Sequence, residues 1–476
     1  MSDRESREVE GLRKPPTATL GQRLWKRFCV FMAHLFYRRF EVSGVDRLPT
    51  DGPVILCANH VNALVDALVV QASCVRPIHP LARSGLFRTP WLVPILKMIQ
   101  AVPVYRRQRL ADGSLAPASG SNADSFRRCY EYLGDNRVIL IFPEGQSHSD
   151  PRLRTLRTGA ARLALGSQDA NGRLPTLVPV GLTFTQKGRF RANVLVQYGE
   201  PIAFEDIPGE AEDVTVRRLT DAIGEGLEEV TLNTDSWEDL ALMKLLQEFF
   251  TLRSSRPTLC ERFRSFEQLI AVHRRLRFDE PGKVANLREK LRRFAELCRR
   301  YGVRSYQLDL RYSPGVVARF VLHALAFLVC VFPLALWGMI HSALPYAATR
   351  LASHLTARGR DQYDTAGMVF GLVFGLGFWT LQTFAVHRGF GIDAAMAYAV
   401  SLPITFAIAL AVARERRRIL ENVRVFLLFA RKSELRDYLR LKRQELEIEV
   451  ARLARIARNL SPRSSDPHLS KSHIDL

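Results

Sequence analysis

The chain has 476 residues, 47% of them hydrophobic and 24% charged, so two or three folded domains can form. Its formal net charge of +20 implies an anionic partner, nucleic acid or a membrane surface. With no zinc-finger spacing and no aromatic–basic RNA-binding signature, the balance favours the membrane and no nucleic acid. The seven cysteines (Cys29, Cys57, Cys74, Cys129, Cys260, Cys298 and Cys330) contain no C-x-x-C pair. An odd count argues against a disulfide framework and for reduced thiols.

Residues 1–20 are charged and lack an apolar stretch, so they read as a disordered N-terminus without a secretory signal. Residues 21–40 mix Trp25, Phe28, Phe31 and Leu35 with Lys26, Arg27, Arg38 and Arg39 at helical spacing. That pattern predicts an amphipathic helix in a membrane interface; the alternative is a helix packed on a soluble domain. Residues 41–205 alternate short apolar runs (53–58, 79–82, 101–105, 138–142, 177–184 and 194–198) with helical stretches. This predicts an α/β domain with a mostly parallel sheet flanked by helices. A Gly/Ser/Ala-rich stretch at 110–122 interrupts it as a linker or lid.

Residues 206–315 predict a charged helical region. Within 316–413 the stretches 317–340, 366–386 and 392–413 are long enough to cross a hydrocarbon core of about 30 Å, which predicts transmembrane helices. His387 to Gly391 reads as a hairpin between the last two, and Pro333 and Pro345 suggest that the first is re-entrant. The basic run from Arg414 to Arg418 places that end, and with it the preceding domain, on the cytoplasmic side. Residues 414–460 form a basic helix. Leu439, Leu446, Leu453 and Leu460 repeat in it every seven residues, but Arg436 and Arg443 spoil the seam, so a coiled coil and an exposed helix both stay open. Residues 461–476 read as a disordered tail.

Four blocks carry chemistry. The apolar run 53–58 ends in Asn59-His60, and Asp66 follows near the start of a helix that Asn62 is placed to cap. A histidine past the C-terminal edge of a strand stands where α/β folds keep their sites. A carboxylate beside it fixes its tautomer and raises its basicity, which suits taking a proton from a hydroxyl. A lone histidine there is more often a packed polar residue, so the company His60 keeps decides. Further ligands at metal spacing are missing, and so is a G-x-S-x-G elbow. The acceptor hydroxyl would then attack the acyl carbonyl directly. The second block, Val102-Pro103-Val104-Tyr105-Arg106-Arg107, offers Arg106 to a phosphate. The third, Phe142-Pro143-Glu144-Gly145, is followed by Arg157-Thr158-Gly159 at a helix start, which favours an anion. The fourth, Leu177 to Leu182, is an acyl-chain wall or plain core.

In this order the blocks resemble the glycerolipid O-acyltransferase superfamily with the PlsC-like fold, whose members carry N-H-x4-D, an arginine block, F-P-E-G and V-P-V. The likeness runs from about Phe40 to Ile202. One departure is the spacing of His60 and Asp66, which is H-x5-D and requires the extra residue to be absorbed in the turn at Val61-Asn62. Membrane-bound glycerol-3-phosphate and dihydroxyacetone-phosphate acyltransferases with N-H-P-N-A-L-L-D look similar, with Val61 here in place of the proline and Arg157 in place of a lysine. The resemblance implies His60 as base, Asp66 as its orienting partner, and Arg106, Glu144 and Gly145 in acceptor binding; Arg157 is added as a phosphate contact. It implies acyl transfer from acyl-CoA or acyl carrier protein, as co-substrate rather than cofactor, to glycerol 3-phosphate in phospholipid biosynthesis, on anionic membrane lipids. Acylation of lysophosphatidate or another lysophospholipid is the enzymatic alternative, and a non-catalytic membrane scaffold is the alternative of another class.

Overall fold

The computed structural model describes residues 18–459, apart from 91, 106–121, 206, 235, 251–257, 309–314, 316–318, 320–321, 323–324, 358 and 360. The strands are β1 (Arg39–Ser43), β2 (Val54–Ala58), β3 (Ile78–Arg83), β4 (Val102–Val104), β5 (Val138–Ile141), β6 (Thr176–Phe184) and β7 (Asn193–Tyr198). The helices are α1 (Leu20–Phe36), α2 (Leu64–Ser73), α3 (Val93–Met98), α4 (Asn122–Gly134), α5 (Gly159–Asn171), α6 (Glu212–Glu229), α7 (Trp237–Phe250), α8 (Leu259–Asp279), α9 (Pro281–Tyr301), α10 (Phe332–Thr356), α11 (Tyr363–Arg431) and α12 (Ser433–Asn459). The chain divides into two units, residues 1–233 with 353–369, and residues 234–352 with 370–476.

The first unit is built on one sheet of order β1-β7-β6-β2-β5-β3-β4. All neighbours are parallel except β6 and β7. β2 shows why its residues form a central strand. Val54, Leu56 and Ala58 enter one core, while Ile55 and Cys57 enter the core on the opposite face. A strand covered on both sides needs a continuous apolar run rather than alternation. Phe28 and Leu35 of α1 and Val65, Val69 and Val70 of α2 cover the first face; Leu133 of α4, Leu163 of α5 and Leu219 and Ile223 of α6 cover the other. α6, in the stretch read as a separate helical region, therefore belongs to this unit. The fourth block, in β6, is plain core: Leu177, Val178, Val180 and Leu182 are all buried.

α1 starts on a capping box between Thr19 and Gln22 and turns Cys29, Met32, Ala33 and Phe36 inward. This corrects the expected interfacial face. Trp25, Phe28 and Leu35 pack against the cores, whereas Leu20, Leu24 and Phe31 point outward with Arg23 and Arg27. The helix ends at Phe36 and the chain is extended by Arg39, giving β1, a strand that the helical reading of 21–40 had hidden.

In the second unit α9 buries Leu287, Leu291, Phe294 and Cys298, and α12 buries Leu439, Leu446 and Leu453. The two helices are joined by Lys290–Glu449 at 2.7 Å. Arg443 is buried as well, donating to Glu447 and to the carbonyl of Ser305. Leu460 lies outside the described residues.

Among the described residues two helical stretches are long and apolar enough to cross a membrane, Val329–Thr356 and Tyr363–Ala413. The first runs on past the expected end at 340, and α10 passes through Pro345 without a reversal. Pro345 has no N–H for the carbonyl of His341, and the amide of Gln382 donates to that carbonyl at 3.1 Å instead. The second folds back at Gly391, whose φ of 85° only glycine adopts freely. Trp379 and Phe406 meet with ring centroids 5.7 Å apart across that break. On a straight helix they would stand roughly 40 Å apart.

Candidate active site

His60 leaves the C-terminal end of β2, and the Phe142–Gly145 turn leaves the end of β5, its parallel neighbour. Asn59 extends the strand with its side chain: Nδ2 donates to the carbonyl of Leu182 at 3.2 Å, and the amide of Leu182 donates to Oδ1 at 2.7 Å. The residue before the histidine thus continues the ladder to β6 and fixes where the loop begins. The His60 ring stacks on Phe142, centroids 4.2 Å apart, and the amide of His148 donates to the carbonyl of His60 at 3.0 Å. The first and third blocks are therefore one site.

Asp66 is fully buried in the first turn of α2. A single oxygen, Oδ2, accepts from His60 Nδ1 at 2.9 Å and from the amides of Val61 at 2.7 Å and Asn62 at 2.6 Å. Oδ1 is buried without a partner. The surplus residue is absorbed at Ala63, with φ 48° and ψ −127°, rather than at Val61-Asn62. Asn62 is not the cap; Ala63 stands there without a side-chain bond, and Asn62 Nδ2 donates to Asp364 Oδ2 at 2.7 Å. With Nδ1 donating to Asp66, the imidazole tautomer leaves Nε2 as acceptor, and no group among the described residues occupies it.

Glu144 is buried too. Its Oε2 accepts from His148 Nε2, whose Nδ1 accepts the amide of Asp150 at 3.1 Å, and its Oε1 is buried without a partner. Gly145 sits at φ 74°. A Cβ there would lie 2.7 Å from Cδ and Nε of Arg157, so the glycine is what lets the arginine lie along the turn. The amide of Arg157 donates to the carbonyl of Pro143 at 2.9 Å and its side chain is exposed. Arg106 and the stretch 110–121 lie outside the described residues; Asn122 opens α4 and closes the gap by bonding both backbone groups of Tyr105. No cluster of three His, Cys, Asp or Glu side chains suited to a metal ion occurs among the described residues.

Three charged residues that border these loops carry no motif. Lys187, in the β6–β7 turn, donates to the carbonyl of His148 at 3.2 Å. Burial lowers its pKa, while Asp66, Asp361, Asp364 and Glu144 around it push the other way. Asp361 and Asp364 stand just before and within the first turn of α11. The one legible sign of them is a pair of carboxylates, Asp361 and Asp364, at the threshold of an apolar stretch. Burial, and then the charges of Asp364 and Asp66, hold the Tyr37 hydroxyl well above its usual pKa.

Residues 39–183, β1 through most of β6, match the family model described as Acyltransferase. The chain is 27% identical over 198 residues to glycerol-3-phosphate O-acyltransferase 1 of Saccharomyces cerevisiae, an alignment of 39% of this chain and 25% of the yeast protein. It is 25% identical over 166 residues to a chloroplastic 1-acyl-sn-glycerol-3-phosphate acyltransferase of Arabidopsis thaliana, covering 35% of this chain and 40% of that one. An uncharacterized acyltransferase of Schizosaccharomyces pombe aligns over 409 residues at 25% identity, covering 67% of this chain and 59% of its own. The chain thus spans a quarter of the length of the Saccharomyces enzyme.

Proposed function

We propose that the chain is a membrane-bound acyltransferase that moves a fatty acyl group from acyl-CoA or acyl carrier protein to a hydroxyl of glycerol 3-phosphate or dihydroxyacetone phosphate. The observation that carries this reading is the Asp66–His60 pair at the end of β2, beside a turn bearing Glu144, Gly145 and Arg157. His60 Nε2 takes the proton of the acceptor hydroxyl as its oxygen attacks the thioester carbonyl. The tetrahedral intermediate then collapses, the C–S bond breaks, and the imidazolium returns the proton to the leaving thiolate. An ester and a free thiol result. Asp66 holds the tautomer and stabilises the imidazolium; Arg157 and Arg106 bind the acceptor phosphate. The partnerless Oε1 of Glu144 is an acceptor for a substrate hydroxyl.

The likeness to the Arabidopsis enzyme favours lysophosphatidate as the second acceptor. The catalytic unit would face the cytoplasm, with Leu20, Leu24 and Phe31 of α1 in the lipid interface and the arginines of 414–418 on anionic headgroups. Membranes carrying the full chain, given labelled acyl-CoA and a panel of glycerol 3-phosphate, dihydroxyacetone phosphate, lysophosphatidate and lysophosphatidylcholine, test it. Label should enter glycerol 3-phosphate most rapidly. Preference for a lysophospholipid moves the reading to the second acceptor, and no transfer to any of them rejects it.

A further inference from the structure

We propose that Asp364, some three hundred residues downstream of the His60 motif, is a positioning residue of the same site, and that Asp361 steadies the neighbouring loop. The inference rests on the acyltransferase reading above. Asp364 is 1% exposed, yet belongs to a helix whose further course is largely apolar. A carboxylate in such a place needs partners to offset its desolvation. Its Oδ2 accepts from Asn62 Nδ2 at 2.7 Å, and its Oδ1 accepts from the amide of Gly188 at 2.8 Å. Both oxygens are thus bound to loops that flank the site.

The bond to Asn62 is the informative one. Asn62 is wholly buried, and its own amide is one of the three donors on Asp66 Oδ2. The same oxygen takes His60 Nδ1. One unbroken series therefore runs from Asp364 through the Asn62 side chain and peptide to Asp66 and the imidazole. Ala63, the next residue, carries the positive φ of this loop, and its carbonyl accepts the Asp66 amide at a long 3.3 Å, so its own backbone restrains the turn little. The tether to Asp364 supplies that restraint. Asp361 acts on the other loop: its Oδ2 accepts from Ser147 Oγ, and the following residue, His148, is the one that holds Glu144. Lys187, between them, faces Asp66, Asp361, Asp364 and Glu144 and is the cation that allows four carboxylates to gather there. All these groups lie in the first unit.

A group acting through Asn62 on the geometry of the base should change turnover and not substrate binding. Displacement of a reacting group by about 1 Å costs on the order of 10²-fold. In membranes carrying the full chain, with glycerol 3-phosphate and an acyl-CoA, Asp364→Ala should lower kcat roughly 10- to 100-fold with both KM values within about twofold. Asp364→Asn, which keeps one acceptor oxygen and the volume, should retain more turnover than the alanine variant. Asn62→Ala should lower kcat to a similar extent, and Asn62→Ala with Asp364→Ala should lose no more than the worse single change, since both cut the same link. Turnover like that of the unaltered chain in Asp364→Ala, a loss confined to KM, or independent losses that multiply in the double variant would each overturn the proposal. If Asp364→Ala fails to fold, Asn62→Ala, which removes the donor and leaves the carboxylate, decides alone: full kcat refutes the tether, and reduced kcat at unchanged KM supports it. His60→Ala measured alongside separates the two readings. An active His60→Ala rejects the base, whereas an inactive one beside a fully active Asp364→Ala rejects the tether alone.

Discussion

Replacing Asp66 with asparagine should cost far less than removing the histidine, and the reason is the geometry of one oxygen. Oδ2 accepts all three donors, from His60 and from the amides of Val61 and Asn62, while Oδ1 has no partner. An asparagine with its carbonyl oxygen at the Oδ2 position keeps the three bonds and the imidazole tautomer. What is lost is the charge that stabilises the imidazolium. A hydrogen bond to a charged group is worth about 1.5–3 kcal/mol against about 0.5–1.5 for a neutral pair. The difference, about 1–2 kcal/mol, corresponds to roughly 5- to 30-fold in kcat. His60→Ala, by contrast, should lose roughly 10²–10⁴-fold. The asparagine NH2 would occupy the unpartnered buried position, lowering stability by about 1–3 kcal/mol without altering the site. Asp66→Ala is a different lesion, since it strands the buried amide of Asn62 at about 1–3 kcal/mol and frees the half-buried amide of Val61. The assay is transfer of labelled acyl-CoA to glycerol 3-phosphate, with kcat compared at matched protein levels. If Asp66→Asn falls as far as His60→Ala, the two oxygens hold separate donors, the tautomer has flipped, and the three-on-one arrangement is wrong.

Arg157→Ala should raise the KM for glycerol 3-phosphate about tenfold or more and leave the acyl-CoA KM unchanged, because a charged contact to phosphate is worth about 1.5–3 kcal/mol; a change confined to acyl-CoA would reassign the arginine to the donor. Gly145→Ala should reproduce part of that defect, since its Cβ would lie 2.7 Å from the arginine chain and at φ 74°; an unchanged acceptor KM would show that the turn does not steer Arg157. His79 donates from Nδ1 to the carbonyl of Ile99 at 3.1 Å, and burial lowers its pKa from 6.5 to about 4. The unfolded chain therefore binds a proton first, so stability present above pH 6.5 is lost as pH falls toward 4, by roughly 3 kcal/mol in full. The buried thiols of Cys57 and Cys129, which burial pushes up to about 12, stay unreactive until unfolding, so a thiol dye added after the accessible Cys260 and Cys330 are blocked reads the midpoint; His79→Gln with the same acid loss would clear His79 of the effect. Gln382→Ala should lower that midpoint in the parent chain but little in Pro345→Ala, where the carbonyl of His341 regains a helical donor; equal losses in both would mean that the glutamine is not answering the proline.

The sheet was legible because its central strands are buried on both faces, and a run such as Val138–Ile141 has no helical phase to confuse it. β1 was not, because Arg39 and Glu41 flank Phe40 in a half-buried edge strand that continues the basic pattern of α1. The inward side of α1 was misjudged for a related reason. Aromatic and arginine residues occur all round that helix, and only the small Cys29 and Ala33 mark the close approach to α2. At the site, His60, Asp66, Glu144, Gly145 and Arg157 announce themselves by order and by the turn chemistry around them. Asp361, Asp364 and Lys187 do not, since each is an ordinary charged residue far away in the chain. Their meaning lies in burial, which a charge pattern does not encode.

Ala63 separates two quantities that motif spacing treats as one: how many residues lie between His60 and Asp66, and how the helix is phased. A single residue at φ 48° takes up the whole surplus, and the third residue of α2 still reaches the ring at 2.9 Å. Residue count along this loop therefore does not by itself fix the distance between the ring and the carboxylate. Separation in ångströms, rather than position along the chain, defines the dyad.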